Sequence, residues 1–131
     1  MPPPLILPSL VLAKSQDRGW GVFAGGPISR GTTIELSPVL VMSAEARSLL
    51  DQTLLHDYIF EWGRYKEQCC LALGYISVYN HSYFSNCEYE MDYMEQTIAI
   101  KTVRDIQAGE ELLINYNGDW NNPKKLWFEV K

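Results

Sequence analysis

Short apolar runs separated by turn residues constrain the fold of this chain more than any other feature. Glycine, proline, serine and asparagine interrupt these runs at short intervals, and no helical repeat extends through them. Pro38 is expected to end one strand and precede the next. The predicted strands are residues 9–13, 21–24, 32–36, 39–42, 57–62, 68–72, 87–93, 97–103 and 111–115. The chain is therefore predicted to be mainly β.

One short helix is predicted within this pattern. Ser43 is a suitable N-cap, and Glu45 lies in the first turn of a segment that extends to Leu50. Strands and helices do not alternate along the chain. This disfavours a doubly wound fold, in which a cofactor binds between a strand and the helix that follows it.

Length and composition fit one domain. The chain has 131 residues, of which 47% are hydrophobic and 21% charged, and this excludes an intrinsically disordered chain. We expect a proline-rich N-terminal segment at residues 1–8, a folded domain at residues 9–120 and a C-terminal tail at residues 121–131. The start lacks the features of a secretory signal, and no apolar run could span a bilayer. We expect a soluble, intracellular protein that does not act at a membrane.

Charge and cysteine content narrow the choice of partners. Sixteen acidic and eleven basic residues give a formal net charge of -5. This charge disfavours direct contact with nucleic acid and suits a lysine- and arginine-rich peptide. Cys69, Cys70 and Cys87 fit neither a disulfide framework nor a zinc site, so we expect buried free thiols and no metal.

Three short segments do not fit an ordinary core or surface when they are taken together. Residues 80–82 (Asn-His-Ser) follow an apolar run, and residues 109–112 (Gly-Glu-Glu-Leu) begin a strand that leads to Tyr116. Alone, the first is typical of an Asx or Ser turn and the second of a hairpin. Residues 19–21 (Gly-Trp-Gly) lie between two predicted strands, where the glycines either form a hairpin turn or let the backbone approach a ligand closely.

In order and spacing these segments resemble those of the SET-domain protein lysine methyltransferases, which carry a Gly-x-Gly loop, an Asn-His-Ser segment and a Gly-Glu-Glu-Leu segment followed by tyrosine. The resemblance spans nearly the whole chain, so residues 9–120 would be the SET domain, as in compact viral and bacterial members. It implies a β-clip fold of short strands with a few short helices. The C-terminal strand would pass beneath the Asn-His-Ser segment in a knot-like crossing, which would bring Tyr116 beside Asn80.

The resemblance also implies a cofactor and an activity. The cofactor would be S-adenosylmethionine, with Asn80 at its methionine end and His81 at its adenine, largely through main-chain groups. The expected reaction is methyl transfer to a lysine of a histone-like or other basic protein. The residues that would hold the cofactor are Gly19, Trp20, Gly21, Asn80, His81 and Tyr116.

The chemistry of the reaction suggests which side chains would form a lysine channel. The lysine must be neutral to attack the sulfonium methyl, and its pKa of about 10.4 makes deprotonation at pH 7 cost roughly 4.6 kcal/mol. An apolar channel and the sulfonium charge both disfavour the ammonium. Tyr116 is the predicted catalytic residue, whose hydroxyl would orient the amine rather than act as a general base. The candidate aromatic walls are Tyr58, Trp62, Tyr116 and Trp120.

Other residues have competing interpretations. Tyr58 is equally an ordinary side chain of an alternating strand. Trp120 lies where family members often carry a phenylalanine or tyrosine that limits the number of methyl groups, and tryptophan is larger than either. Glu110 and Glu111 should point to opposite faces of a strand, which favours a structural role over a paired acid and base. His56 is expected in a surface loop.

The sequence also bears on how the lysine channel is closed and on the functions that compete with catalysis. The chain lacks the zinc-binding cysteine segments that often close the lysine channel, so residues 117–131 or a second copy of the chain must close it, and we expect a homodimer. A SET-fold binding module with weak or no catalysis is the main alternative to an active enzyme. An unrelated β domain is the other. The expected location is cytoplasmic in a prokaryote, and nuclear or chromatin-associated in a eukaryote or virus.

Overall fold

The structure, a computed structural model, describes residues 3–16 and 18–116. The described residues are mainly strands, as predicted, with one short α-helix and two single 3-10 turns. The strands are β1 (Leu5–Ile6), β2 (Leu10–Ser15), β3 (Gly19–Ala24), β4 (Thr33–Met42), β5 (Ile59–Trp62), β6 (Gln68–Ala72), β7 (Asn80–His81), β8 (Cys87–Asp92), β9 (Thr97–Thr102) and β10 (Glu111–Ile114). The helix is α1 (Ala44–Leu50), and the 3-10 turns are Leu54–Asp57 and Ile76–Val78.

Two sheets organise the described strands. One has the order β5-β6-β4-β9-β8, with β1 added to β4. The other has the order β2-β3-β10-β7. Because β10 lies between β3 and β7, the C-terminal strand is inserted between two segments that come much earlier in the chain. The SET resemblance implied that the C-terminal strand meets the Asn-His-Ser segment, and β10 pairs with β7 there.

The prediction that Pro38 separates two strands was wrong, because β4 continues through it. On one side of β4, β1 pairs with Glu35 and Leu36, and β6 pairs with residues 39–42. Neither strand has a partner in register with Pro38, so its missing N–H removes no hydrogen bond from that side. Its carbonyl still accepts the Leu73 N–H at 3.0 Å.

The predicted helix is confirmed. The Ser43 side chain accepts the Ala46 N–H at 3.2 Å at the start of α1. The helix buries none of its residues, so packing alone does not hold it. Arg47 ties it to the sheet by donating to the Lys66 carbonyl at 2.6 Å and to the Glu61 carboxylate on β5 at 3.1 Å.

The core lies between the sheets and also holds the thiols. It is formed mainly by isoleucine, valine and leucine from β2, β3, β4, β9 and β10, together with the buried ring of Tyr79. Cys69, Cys70 and Cys87 are buried and free, as predicted. None of the helices in the part of the chain that the structure describes has the length and apolar character needed to cross a bilayer.

The N-terminal segment is partly integrated in the fold. Leu5 and Ile6 of the predicted proline-rich segment pair with β4, and the Leu7 N–H donates to the Ile34 carbonyl at 3.0 Å. The predicted strand at residues 57–62 begins only at Ile59, because residues 54–57 form a 3-10 turn.

Candidate functional site

The three sequence segments meet at β10. Its first half pairs antiparallel with β3, which contains the Gly-Trp-Gly segment, and its second half pairs parallel with the two residues of β7. The registers place Leu113 opposite Asn80 and Ile114 opposite His81. One strand therefore brings together segments that are far apart in the sequence.

The Asn80 side chain connects all three segments. Its amide Nδ2 donates to the Trp20 carbonyl at 3.2 Å and to Glu111 Oε2 at 2.7 Å. The contact depends on glycine at position 21, because a Cβ there would overlap Glu111 Oε2 and lie 3.0 Å from Asn80 Nδ2. Gly19, at φ +74, begins β3 in a backbone conformation that favours glycine. Backbone conformation at Gly19 and close contacts at Gly21 thus explain why glycine occupies both positions of the predicted loop.

The main chain of His81 faces outward from the sheet. β7 is the edge of its sheet, and the parallel register with β10 makes the Asn80 and Ser82 main-chain groups the ones that face β10. The His81 N–H and carbonyl therefore point away from β10. The Arg18 guanidinium donates to this carbonyl at 2.6 Å. A main-chain donor and acceptor lie side by side there, as recognition of an adenine edge requires.

The His81 ring is buried and neutral. Its Nδ1 accepts the Tyr116 N–H at 3.0 Å, which places the ring proton on Nε2. Nε2 is buried and has no hydrogen-bond partner among the described residues. Burial, and secondarily the Arg18 charge, lowers the pKa of His81 to about 4. An uncharged ring at neutral pH is what the Tyr116 N–H requires as its acceptor.

Tyr116 is held at both its main chain and its hydroxyl. The hydroxyl donates to the Tyr79 carbonyl at 2.7 Å, and the Tyr89 hydroxyl donates to the Tyr116 carbonyl at 2.9 Å. Burial raises the pKa of the Tyr116 hydroxyl above its ordinary value, and nearby Tyr58 and acidic groups add to the shift although Arg18 opposes it. The hydroxyl stays protonated, so it cannot serve as a general base at neutral pH.

The aromatic side chains around Tyr116 differ in part from those expected. Phe60 on β5 lies edge-on to it, with ring centroids 6.2 Å apart, and also contacts Tyr89 at 5.5 Å. Tyr58 is 45% exposed just before β5. Trp62 is only 3% exposed and packs in the core against Tyr93, with centroids 4.8 Å apart, so it offers almost no surface to a substrate.

Phe60 takes the position beside Tyr116 that Trp62 was expected to share. Trp62, two residues further along β5, packs against Tyr93 instead. The other predicted wall, Trp120, lies outside the described residues.

Two further side chains of the site were missed or given only a general role. Arg18 was not singled out, although it directly precedes the Gly-Trp-Gly segment. Glu111 was expected to be structural, and it binds Asn80, whereas neighbouring Glu110 binds Arg104 at 2.9 Å. The two carboxylates therefore have separate partners, although β10 begins at Glu111 and leaves Glu110 just outside the strand.

The arrangement suits an organic cofactor. It presents the outward main chain of His81 next to the Arg18 cation, and the Asn80 amide next to the Trp20 carbonyl. The Trp20 indole, which is 58% exposed, lies beside the Lys14 ammonium. Within the described ranges, no group of three or more histidine, cysteine, aspartate or glutamate side chains could hold a metal ion.

Comparison with known proteins agrees with this geometry. The family model of the SET domain matches residues 19–117 of this chain. The chain is 38% identical over 127 residues to the H3 lysine-37 specific histone-lysine N-methyltransferase of Schizosaccharomyces pombe, a match that covers 96% of this chain and 81% of that protein.

Solved structures give the same fold. A Plasmodium falciparum protein described as a histone methyltransferase matches with a TM-score of 0.63 and 27% identity, over 88% of this chain and 98% of that one. A chain of the apo Polycomb Repressive Complex 2 of Chaetomium thermophilum matches with a TM-score of 0.71 and 25% identity. That match covers 84% of this chain but only 15% of the other.

Proposed function

Because this chain belongs to the SET-domain family, we propose that it is a protein lysine methyltransferase that uses S-adenosylmethionine and acts on a histone-like basic protein. The observation that carries the proposal is the meeting of Gly21, Asn80 and Tyr116 at one strand, since this joins the candidate cofactor-binding groups to the candidate catalytic hydroxyl. The yeast relative, which is specific for histone H3, supports the substrate class.

The residues present fit the proposed cofactor. The His81 N–H and carbonyl would bind the adenine edge, and Asn80 and Arg18 would bind the polar groups of the methionine part. The close approach at Gly21 leaves Asn80 oriented by Glu111 before any ligand arrives, which limits the entropy lost on binding. When bound, the cofactor supplies an electrophilic methyl group on a positively charged sulfur.

Cofactor binding at the His81 carbonyl must be compatible with the hydrogen bond that this carbonyl already accepts from Arg18. The carbonyl oxygen has two lone pairs, so it can accept from an adenine amino group while it still accepts from Arg18, or Arg18 can swing to the cofactor carboxylate. In both arrangements the guanidinium is a cation beside the site, and a carboxylate is the part of the cofactor that it would attract.

Tyr116 would orient the lysine amine. Its protonated hydroxyl donates to the Tyr79 carbonyl, which fixes the direction of the oxygen that would accept a hydrogen bond from the amine. The rings of Phe60 and Tyr58 would exclude water and disfavour the ammonium form of the lysine. Holding amine and methyl in line can remove a large part of the barrier, about 7 to 11 kcal/mol in favourable cases.

A methyl-transfer assay on histone H3 and lysine-rich peptides, with isotopically labelled S-adenosylmethionine, tests the proposal. Calorimetric titration with the cofactor should show saturable binding that weakens by about tenfold in Asn80→Ala, since one oriented polar contact is lost. Tyr116→Phe should bind the cofactor normally and lower kcat by about tenfold or more. Tyr65→Phe, at a tyrosine that is 74% exposed, is the matched control and should change neither quantity.

The outcomes separate the alternatives. Cofactor binding without methyl transfer to any basic substrate would favour a SET-fold binding module. Absence of cofactor binding by the folded chain, with and without peptide, would contradict the proposed function.

Assembly and location follow as secondary proposals. We propose a homodimer, supported by large apolar side chains at the surface of the described part, such as Leu54 and Phe84. Light scattering at micromolar concentration checks this, and a monomeric mass would contradict it. A histone substrate would place the protein at chromatin in a eukaryote or virus, and imaging of a tagged chain tests that location.

A further inference from the structure

One buried carboxylate lies outside the three sequence segments and has no role in the chemistry described above. Glu35 on β4 has no exposed surface. Ser37 Oγ and the Tyr75 N–H donate to its Oε2 at 2.7 and 2.8 Å, and the Tyr79 hydroxyl donates to its Oε1 at 3.0 Å. Burial raises the pKa of Glu35, and these hydrogen bonds oppose the shift. Burying a carboxyl group is costly, and well-packed apolar residues often replace such groups without loss of stability, so a role beyond stability is worth testing.

Two of the partners of Glu35 lie at the two ends of one turn. The 3-10 turn Ile76–Val78 is preceded by Tyr75 and followed by Tyr79. One carboxylate oxygen binds Tyr75 and the other binds Tyr79, whereas the turn itself contributes the Val78 N–H to Tyr75 carbonyl bond at 2.8 Å. Glu35 therefore bridges the turn that leads directly into Asn80 and β7.

Gly74, just before the turn, shows how closely this part of the chain packs against the Glu35 carboxylate. A Cβ at this position would overlap both Glu35 Oε2 and Ser37 Oγ, and the residue has a φ of +67. The space that a side chain would fill is occupied by the carboxylate. The turn and the carboxylate are thus fitted to each other.

Tyr79 connects this buried group to the candidate catalytic hydroxyl. Its own hydroxyl binds Glu35, and its carbonyl accepts the Tyr116 hydroxyl at 2.7 Å. Fixing both the ring of Tyr79 and the start of its turn leaves its carbonyl little freedom. The direction of the Tyr116 hydroxyl is set by that carbonyl.

We propose that Glu35 is a positioning residue for methyl transfer, which holds the Tyr75–Tyr79 turn so that the Tyr79 carbonyl orients the Tyr116 hydroxyl toward the lysine amine. The proposal rests on the proposed function of Tyr116. Glu35 itself touches neither substrate nor cofactor. It acts through Tyr79.

The test uses Glu35→Gln and Tyr79→Phe, each alone and combined with Tyr116→Phe. Ser37→Ala is the control, because it removes a donor to the same carboxylate without touching Tyr79. Glu35→Gln and Tyr79→Phe should each lower kcat by about tenfold, with cofactor affinity and peptide KM within about twofold of wild type. Ser37→Ala should lower the melting temperature and leave kcat near wild type.

Combination with Tyr116→Phe gives the sharpest result. Once the Tyr116 hydroxyl is absent, Glu35→Gln should cause no further loss of kcat, because the group that it orients is gone. A merely structural Glu35 would lower stability and not kcat, or would act independently of Tyr116. Either an unchanged kcat in folded Glu35→Gln or fully multiplicative losses would overturn the proposal.

A second readout does not depend on activity. In protein labelled with carbon-13 at the tyrosine ring carbon that bears oxygen, the Tyr116 signal should shift in Tyr79→Phe and Glu35→Gln and stay in place in Ser37→Ala. An unmoved Tyr116 signal would overturn the proposal even if the protein is an active methyltransferase. A moved signal without methyl transfer by the wild type would instead count against the proposed function and leave the connection from Glu35 to Tyr116 intact. Tyr79→Phe keeps the test decisive if Glu35→Gln does not fold.

Discussion

Replacing Gly21 by alanine should damage the candidate cofactor site through one defined contact. The added Cβ would overlap Glu111 Oε2, lie 3.2 Å from Glu111 Cδ and lie 3.0 Å from Asn80 Nδ2. The Glu111 carboxylate is the group that can move. A retreat of about 0.7 Å lengthens its hydrogen bond to Asn80 beyond the usual range of about 2.7–3.2 Å. The present length of that bond is 2.7 Å.

The magnitude follows from the bond that is lost. A hydrogen bond to a charged group contributes about 1.5–3 kcal/mol, and alanine in a strand is favoured over glycine by about 0.5–1 kcal/mol. We therefore expect a net destabilisation of about 1–2 kcal/mol in urea unfolding. Asn80 also loses its orientation, so the affinity for S-adenosylmethionine should fall by about tenfold in calorimetric titration.

Two comparisons make the prediction specific. Gly26→Ala is the matched control, since a Cβ at Gly26 meets nothing within 4 Å, and it should change neither stability nor affinity appreciably. Glu111→Ala removes the carboxylate that the new Cβ would overlap. In that background, Gly21→Ala should lower the free energy of unfolding only slightly further. If it destabilises that background as much as it does the wild type, the clash with Glu111 is not the cause and the reasoning is refuted.

Three further perturbations test other parts of the structure. Gly74→Ala should destabilise by about 3 kcal/mol and Gly31→Ala by only about 1 kcal/mol, because both have positive φ but only Gly74 also faces Glu35; equal losses in urea unfolding would contradict this. The folded state lowers the pKa of His81 from 6.5 to about 4 and so binds fewer protons than the unfolded state between these values. The free energy of unfolding should therefore increase by on the order of 3 kcal/mol between pH 4 and pH 6.5, and acidification over the same range should remove that gain. His81→Asn should flatten this dependence in denaturation curves, and an unchanged slope would assign it to other groups. Burial raises the pKa of Cys70 and Cys87 to about 12, so a thiol reagent at pH 8 should modify them only on unfolding, and rapid reaction with the native protein would disprove this.

Much of the site was predictable because its residues have distinctive types at distinctive spacing. Tyr116 was expected beside Asn80, and the structure gives it hydrogen bonds to the two neighbours of Asn80, from its N–H to His81 and from its hydroxyl to Tyr79. The existence of β7 itself was not predictable, since two residues are too few to show an alternating pattern. The roles of these residues in cofactor binding stay predictions.

The supporting residues were hidden for a physical reason. Glu35 receives hydrogen bonds from residues 40 and 44 positions later, and no local pattern reports such contacts. Both Ile34 and Glu35 are buried, so the strand does not alternate as a half-exposed strand would. Trp62 was chosen for its aromatic type alone, and its contact with Tyr93, a residue distant in the sequence, is one that no local pattern reports.

The insertion of β10 between β3 and β7 has a consequence for synthesis on the ribosome. Both flanking strands leave the ribosome before β10 is made, and until it arrives each presents an unpaired edge to solvent and to other nascent chains. Pairings between such distant segments also form slowly. The candidate cofactor site is thus expected to be the last part of the domain to mature, and this interval is when chaperone protection matters most.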